Sequence, residues 1–498
     1  MYFPSWSITS IPSEINLGMI TNIYFSFLEL ENNGNIKPFD KLATQSPIIF
    51  KTPLVDLFNN FSSSPFLESL MSVGQIGQLS QMRSINPDIK ISLSIGGAEV
   101  TKPFVNIANF GLSKFVKDVS YIVEYYGFEG VDIDWEFPKD EKEGKMLSKI
   151  IQALRGELDS LAARQSENEL PYLLTVCLPV TVSTLEFYDF HGMDKFVDWY
   201  NLMGYDISGP WSQFSSFQSQ LYSVNDANNI SVDNAVAYLI SQDVPSTKII
   251  MGVPTYARTF NTDCFNNKFK SCASTALLGN VSINWDEEDF NNYKHDCIIK
   301  YRDLSRLPVE WTIKLDKKVA SAFAVYSGSK GYGLMSFDTP ESVEIKAKYI
   351  ISQNLGGMFW WDSTGEIWPT YNFNKDKSLV WSFVNQVSPH LLAFGSSVIN
   401  PKKYYGNIPK GKYGKDWTTF TTICSSSTVE NKAIIAALDT KSVKTTPPDV
   451  SCIYIMPRTT SMKRSKSPPR QNRSSRSFKI DLFTIVVLFS QLVLNLLI

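Results

Sequence analysis

The sequence predicts an α/β fold: a TIM (β/α)8 barrel of parallel strands with a small α+β insertion between the seventh and eighth strands. Three observations lead there. Apolar runs of strand length alternate with helix-length stretches of mixed polarity, the pattern of a parallel sheet covered on both faces. One of those runs places Asp132, Asp134 and Glu136 at every second position among Val131, Ile133 and Trp135. The residues that end several of the runs are chemically coherent, and in a barrel the reactive groups gather at the carboxyl ends of the strands.

Taken in order, the predicted strands are Tyr2 to Pro4, Asn22 to Phe27, Lys90 to Ile95, Gly130 to Trp135, Leu173 to Leu178, Trp199 to Gly204, Lys248 to Val253 and Gly356 to Trp361. Their spacing is uneven. The longest interval, from Phe260 to about Leu334, holds Cys264, Cys272 and Cys297 with several polar turns and reads as an inserted subdomain over 261–334. With it, residues 1–387 form the barrel, within the size such folds reach with insertions.

In an extended chain residues i, i+2 and i+4 share a side, so the three acids form a row on the order of 13 Å long. Like charges at that spacing repel, and some must hold a proton or gain hydrogen bonds. Such a row can supply a general acid near neutral pH beside an ionised neighbour. The competing readings are an acidic surface strand, disfavoured by the apolar residues between the acids, and a hard-metal site, disfavoured because nothing else resembles a loop of ligands. No metal and no cofactor are expected.

The strand ends extend the set. Glu136 follows the fourth strand; Met203, Tyr205 and Asp206 end the sixth; Tyr256 and Arg258 follow the seventh; Trp360 and Trp361 end the eighth. Strand alternation lets only one of the last two point inward, and Trp360 is the expected one. Plain core packing is the alternative for Trp360 and Met203, a buried hydrogen-bonded hydroxyl for Tyr205, and a structural ion pair for Arg258.

Composition narrows the function. Eleven Trp, 22 Tyr and 32 Phe suit a carbohydrate cleft, because flat amphipathic rings stack on sugar faces, although core packing accounts for most of them. The net charge of −2 averages an acidic main part with the stretch from Arg458 to Lys479, which has eight bases and no acid. An acidic main domain argues against a nucleic-acid partner. Three isolated histidines, His191, His295 and His390, give little support to Ser-His-Asp chemistry or multi-His zinc sites.

Over about residues 1 to 385 these motifs resemble the family-18 glycoside hydrolases, which comprise chitinases, related endo-β-N-acetylglucosaminidases and non-catalytic lectins. The resemblance rests on Ser94-Ile95-Gly96-Gly97, the acidic run ending at Glu136, Met203-Gly204-Tyr205-Asp206, Gly252-Val253-Pro254-Thr255-Tyr256-Ala257-Arg258, and Gly356-Gly357-Met358-Phe359-Trp360. It implies a substrate-assisted retaining mechanism through an oxazolinium ion. Glu136 is then the general acid, Asp134 orients the sugar's acetamide, Asp132 shares a proton behind it, and Tyr205 donates to the acetamide oxygen. Asp206, Tyr256 and Arg258 become polar contacts, Trp360 the apolar floor, and Met203, Trp135 and Gly97 further lining. The insertion resembles the subdomain that walls the cleft in many members, as in the fungal type.

The implied activity is a chitinase cleaving β-1,4 bonds between N-acetylglucosamine units, in cell-wall remodelling. Chitin or chito-oligosaccharides are the expected partners, and a monomer is expected. An N-glycan-cleaving enzyme and a chitin-binding lectin are the alternatives; lectin members commonly lose the terminal acid, which is present here. Two departures stand out. Glu129 occupies a position where the family usually has Asp, and a modest retuning of the proton-sharing row is expected from it. The chain opens at Met1-Tyr2-Phe3-Pro4-Ser5-Trp6 without the Gly that usually precedes the aromatic pair.

The first thirty residues lack the pattern of a secretory leader, yet the other end looks secretory. Residues 388–456 match no usable motif, and their Tyr404, Tyr405, Tyr413 and Trp417 suit either a sugar platform or packing. Residues 457–479 read as a basic Ser-rich linker, and 480–498 as a hydrophobic tail, either a membrane span or a glycolipid-anchor signal. An extracellular or cell-surface location with possible membrane attachment, and a missing or misassigned amino terminus, are the expectations. Sequons stand at Asn60, Asn229, Asn280 and Asn472. Cys177 is expected as a buried free thiol, with Cys264–Cys272 and Cys424–Cys452 as plausible pairs.

Overall fold

The computed structural model describes residues 1–7, 12–39, 41–44, 74–83, 86, 88–98, 100–165, 172–209, 211–212, 215–224, 230–262, 274–275, 298–306, 311–328, 331–368 and 375–393, and the backbone at 421–424 and 452–455. Eight parallel strands form the barrel: β1 (Tyr2–Pro4), β2 (Asn22–Leu28), β3 (Lys90–Gly97), β4 (Gly130–Trp135), β5 (Leu173–Pro179), β6 (Trp199–Met203), β7 (Ile249–Pro254) and, after the insertion, β14 (Gly357–Trp361). They pair in chain order, and the first and last meet at the seam, where the Ser363 N–H donates to the Tyr2 carbonyl at 3.0 Å.

Strand alternation sorts the side chains into two layers. Phe3, Ile23, Phe25, Ile91, Leu93, Ile95, Val131 and Ile133 face outward and join one continuous core with the helices. Those helices include α1 (Gly74–Met82), α2 (Thr101–Asn106), α3 (Leu112–Tyr126), α4 (Glu141–Gln165), α5 (Val232–Ser241), α6 (Pro340–Gln353) and α7 (Leu379–Ala393). The inner layer is polar and aromatic instead: Tyr2, Tyr24, Ser94, Asp132, Thr175, Cys177, Asn201 and Phe359 meet across the barrel. A polar interior is costly unless every group is bonded, which marks this end of the barrel as built for chemistry.

Between β7 and β14 the chain forms an antiparallel sheet of six strands: β8 (Tyr256–Thr262), β9 (Ser274–Thr275), β10 (Ile298–Lys300), β11 (Trp311–Asp316), β12 (Ser321–Gly328) and β13 (Gly331–Phe337). It starts at Tyr256, five residues before the expected boundary, so Tyr256 and Arg258 belong to its first strand. A buried ion pair fastens it to the barrel. Lys346 on α6 donates to both Asp338 oxygens at 2.6 and 2.8 Å and to the Ser219 carbonyl at 2.7 Å. Thr339 and Ser342 cap α6 reciprocally, with Pro340 at its first position. Helix α7 continues to Ala393 and so runs past the predicted barrel boundary at 387.

Glu129 lies just before β4 with the opposite phase from the acidic row. It is buried against Arg83 of the segment after α1, accepting from Nε at 3.1 Å and Nη2 at 2.7 Å, and from the Ile91 N–H at 2.8 Å. The expected retuning of the proton-sharing row therefore has no contact to act through; Glu129 is a structural anchor. Beyond residue 393, backbone register sets Cys424 opposite Cys452 in a short antiparallel pair, consistent with the expected proximity of those two residues. Cys264, Cys272, Cys297, the four sequons, the linker and the hydrophobic tail lie outside the described residues, as does nearly all of 388–456.

Candidate active site

The floor of the acidic row is Asp132, fully buried and surrounded by donors. Its Oδ1 accepts from Thr175 Oγ1 at 2.6 Å and Asn201 Nδ2 at 3.1 Å; its Oδ2 accepts from Ser94 Oγ at 2.7 Å, the Tyr2 hydroxyl at 2.9 Å and Cys177 Sγ at 3.4 Å. Five donors from four strands hold it. Asp134 stands one step higher, and its buried Oδ1 has no hydrogen-bond partner among the described residues. Burial, then the charges of Glu136 and Asp132, hold this carboxyl well above the ordinary carboxylate range.

Glu136 sits just past the strand end, half-buried at the mouth of the barrel. Burial first, and then the nearby Asp206 charge, push its carboxyl up to about 7. At neutral pH it can therefore hold a proton and give it away, as a general acid must. The row thus grades upward from a donor-saturated aspartate to a half-buried proton donor.

Beside the row, β3 ends in Gly96 and Gly97, at φ +124° and +100°, a backbone region that favours glycine. A Cβ on Gly96 would run into the Asp134 carbonyl oxygen, and one on Gly97 would meet the Phe27 ring at 2.8 Å. Both glycines thus let the neighbouring strand and ring close on the acids.

Across the cleft, Asp206 adopts a left-handed backbone (φ 56°) and turns its carboxylate toward the inserted sheet. It accepts from Arg258 Nε and Nη2, both at 2.8 Å, and from the Tyr256 hydroxyl at 2.7 Å. The two-pronged geometry locks Arg258 in place. The guanidinium lies 4.9 Å over the ring of Trp211, which is 61% exposed. Tyr205 meets Tyr256 and Phe359 edge-on at 6.4 and 6.1 Å, and burial raises its hydroxyl's pKa well above the usual value, so it remains a donor. Met203 packs on the same inner cluster.

Two expected lining residues face the other way. Trp360 is buried among the outward-facing side chains, edge-on to Phe383 of α7 at 6.5 Å. Trp361 takes the inward position, joining the cluster of Tyr2, Tyr205 and Phe359, with its ring 5.4 Å from Tyr2 and 5.7 Å from Phe27. The phase of β14 explains this, because Phe359 and Trp361 share the inner face. Trp135, between acids of the row, likewise points outward and stacks on Phe104 of α2 at 5.2 Å. It supports the row from behind and does not line the cleft.

Trp6, Phe27 and Trp211 belong to the cleft although no motif singles them out. Trp6, 52% exposed, stacks on Phe27 at 5.7 Å, and Phe27 stacks on Trp361, giving a continuous aromatic row on one side of the acids. Trp211 lies against the Arg258 guanidinium. Exposed flat rings of this kind suit the faces of a chain of sugar rings.

The sequence profile of Glycosyl hydrolases family 18 matches residues 1–366. The chain is 29% identical over 438 residues to sporulation-specific chitinase 2 of Saccharomyces cerevisiae, covering 83% of this chain and 82% of that protein. It is 28% identical to endochitinase 1 of Metarhizium robertsii over 375 residues, 74% of this chain and 81% of the relative. Among solved structures it is similar in fold to human YKL-39, described as a pseudo-chitinase with retained chitooligosaccharide binding, with a TM-score of 0.61 at 20% identity, over 78% of this chain and 98% of that one. A profile match through every barrel strand, on a barrel whose acidic row ends in an intact proton donor, places this chain in family 18 of the glycosyl hydrolases.

Proposed function

We propose that the protein is a chitinase that hydrolyses β-1,4 bonds between N-acetylglucosamine units by a substrate-assisted retaining mechanism. The observation that carries this reading is the pairing of Glu136, protonated near neutral pH at the cleft mouth, with a buried, partnerless oxygen of Asp134 beside it. Glu136 gives its proton to the glycosidic oxygen as the bond to the anomeric carbon breaks. The carbonyl oxygen of the sugar's own 2-acetamido group attacks that carbon, and an oxazolinium ion forms. Asp134 accepts from the acetamide N–H and balances the positive charge, while the Tyr205 hydroxyl donates to the acetamide oxygen. Glu136, now a carboxylate, takes a proton from water, which opens the oxazolinium ion with net retention.

Support comes from the similar fungal chitinases and from a cleft flanked by Trp6, Phe27, Trp361 and Trp211. YKL-39, a pseudo-chitinase with retained chitooligosaccharide binding, shares the fold, and the intact Glu136 favours an enzyme here. Cell-wall remodelling at the cell surface is the setting that substrate and the C-terminal apolar run favour; fractionation of the expressing cells tests it. The test of activity is hydrolysis of chitin oligomers and, in parallel, of a high-mannose glycopeptide by the full chain, with Glu136→Gln as control. Oligomer cleavage lost by more than about a hundredfold in the variant is expected. Glycopeptide cleavage alone would move the protein to the N-glycan class, and binding without turnover would make it a lectin.

A further inference from the structure

One nucleophilic group of the barrel interior has no part in the mechanism above. Cys177 lies on β5, unbridged and 2% exposed, with Sγ 3.0 Å from the Tyr2 hydroxyl and 3.4 Å from Asp132 Oδ2. Tyr2 spends its own proton on Asp132 and receives Asn201 Nδ2 at 3.0 Å. The thiol hydrogen is thus free to bond at the junction of Tyr2 and the acidic row, beside the Ser94 hydroxyl on the same carboxylate oxygen.

The titratable groups around the thiol are Tyr2 on β1, Tyr24 on β2, the acids Asp132, Asp134 and Glu136, then Tyr188, and Tyr205 beyond β6. Burial raises the pKa of all four tyrosine hydroxyls, so they stay neutral. Burial and the neighbouring carboxylates raise the thiol's own pKa as well, so it is a donor and not a thiolate. Only the acids can exchange charge near it. A donor that favours a carboxylate's charged form makes that carboxylate harder to protonate.

We propose that Cys177 is a positioning residue of the acidic row, whose S–H hydrogen bond at the Tyr2–Asp132 junction favours the charged form of the row, and so sets the acid limb of the pH–rate profile. The proposal rests on the chitinase reading, because it concerns the same acids. Alanine removes the donor, whereas serine, of similar shape, is a stronger one.

The test compares kcat/KM against pH for chitin oligomers in the full-length wild type, Cys177→Ala and Cys177→Ser. The acid limb is expected to move upward by about half a pH unit in the alanine variant and to stay or move downward in the serine variant. The basic limb, which belongs to Glu136, should not move in either. An unmoved acid limb in Cys177→Ala, or equal upward movement in both variants, overturns the proposal. If the alanine variant does not fold, an upward shift in Cys177→Ser overturns it alone, and a downward shift supports it. Failure of the underlying reading looks different: the wild type does not turn over, or Glu136→Gln keeps wild-type turnover.

Discussion

Asp206 shows how one side chain serves structure and chemistry together. Its carboxylate is gripped by Arg258 and Tyr256, yet its charge reaches Glu136 and, after burial, is the next cause of that group's raised pKa. In the proposed mechanism Glu136 acts first in its protonated form, so kcat/KM should fall as pH rises through about 7. Asp206→Asn removes a negative charge and leaves the Arg258 cation without that counter-charge, and both changes favour the Glu136 carboxylate. The basic limb should therefore move to lower pH, while the plateau drops with the loosened Arg258. A pH–rate profile on chitin oligomers checks this, and a limb that stays or moves upward would reject it. The row that makes this possible was legible in the sequence, because carboxylates cannot face the apolar helical layer and so reveal the phase of β4 themselves. Trp360 and Trp361 offered no such marker. Two adjacent indoles suit either an aromatic cleft or an apolar core, and only the neighbouring rings of Tyr2 and Phe27 decide which turns inward.

Elements were easier to read than phases. All eight barrel strands fall where apolar runs predicted them, since the face each strand turns to the helices keeps an apolar residue at alternate positions. The strength of the acidic run hid a parity argument at its start: Glu129 is three residues before Asp132, hence on the other face. The structure uses it to tie the segment after α1 to the base of β3 and β4, through Arg83 and the Ile91 N–H. Glu129→Asp keeps the charge but withdraws it by one methylene, so all three bonds lengthen around a buried carboxylate. A loss of about 1–3 kcal/mol in stability is expected, with the pH–rate profile unchanged. Denaturant unfolding beside kinetics separates the two effects, and a shifted profile at unchanged stability would return Glu129 to the proton-sharing row. The long-range contacts that built the interior, such as Tyr2 to Asp132 across 130 residues, had no local signature at all.

At the scale of the whole molecule, the cleft is one instance of a wider habit of burying carboxyls. Asp134 and Asp362 are raised by burial, and so is Glu366, which accepts from the Leu379 N–H at the start of α7 at 3.0 Å and is pushed up to about 8. Its second oxygen has no partner among the described residues. In the unfolded chain this glutamate would titrate near 4.5, so between about 4.5 and 8 folding requires it to take up a proton. A group raised on folding contributes its full stability below the unfolded value and loses it as pH climbs through the folded one. The fold should thus be weaker at pH 8 than at pH 5, with Glu366 accounting for up to about 3–5 kcal/mol of the difference. Glu366→Gln fixes the neutral form at every pH and keeps an oxygen for Leu379. Thermal unfolding of both proteins at pH 5 and pH 8 should show a smaller fall in Tm for the variant. An equal fall in the two would mean that Glu366 does not set this dependence, and that the loss of stability with rising pH resides in the other raised carboxyls, Asp134 and Glu136 of the acidic row among them.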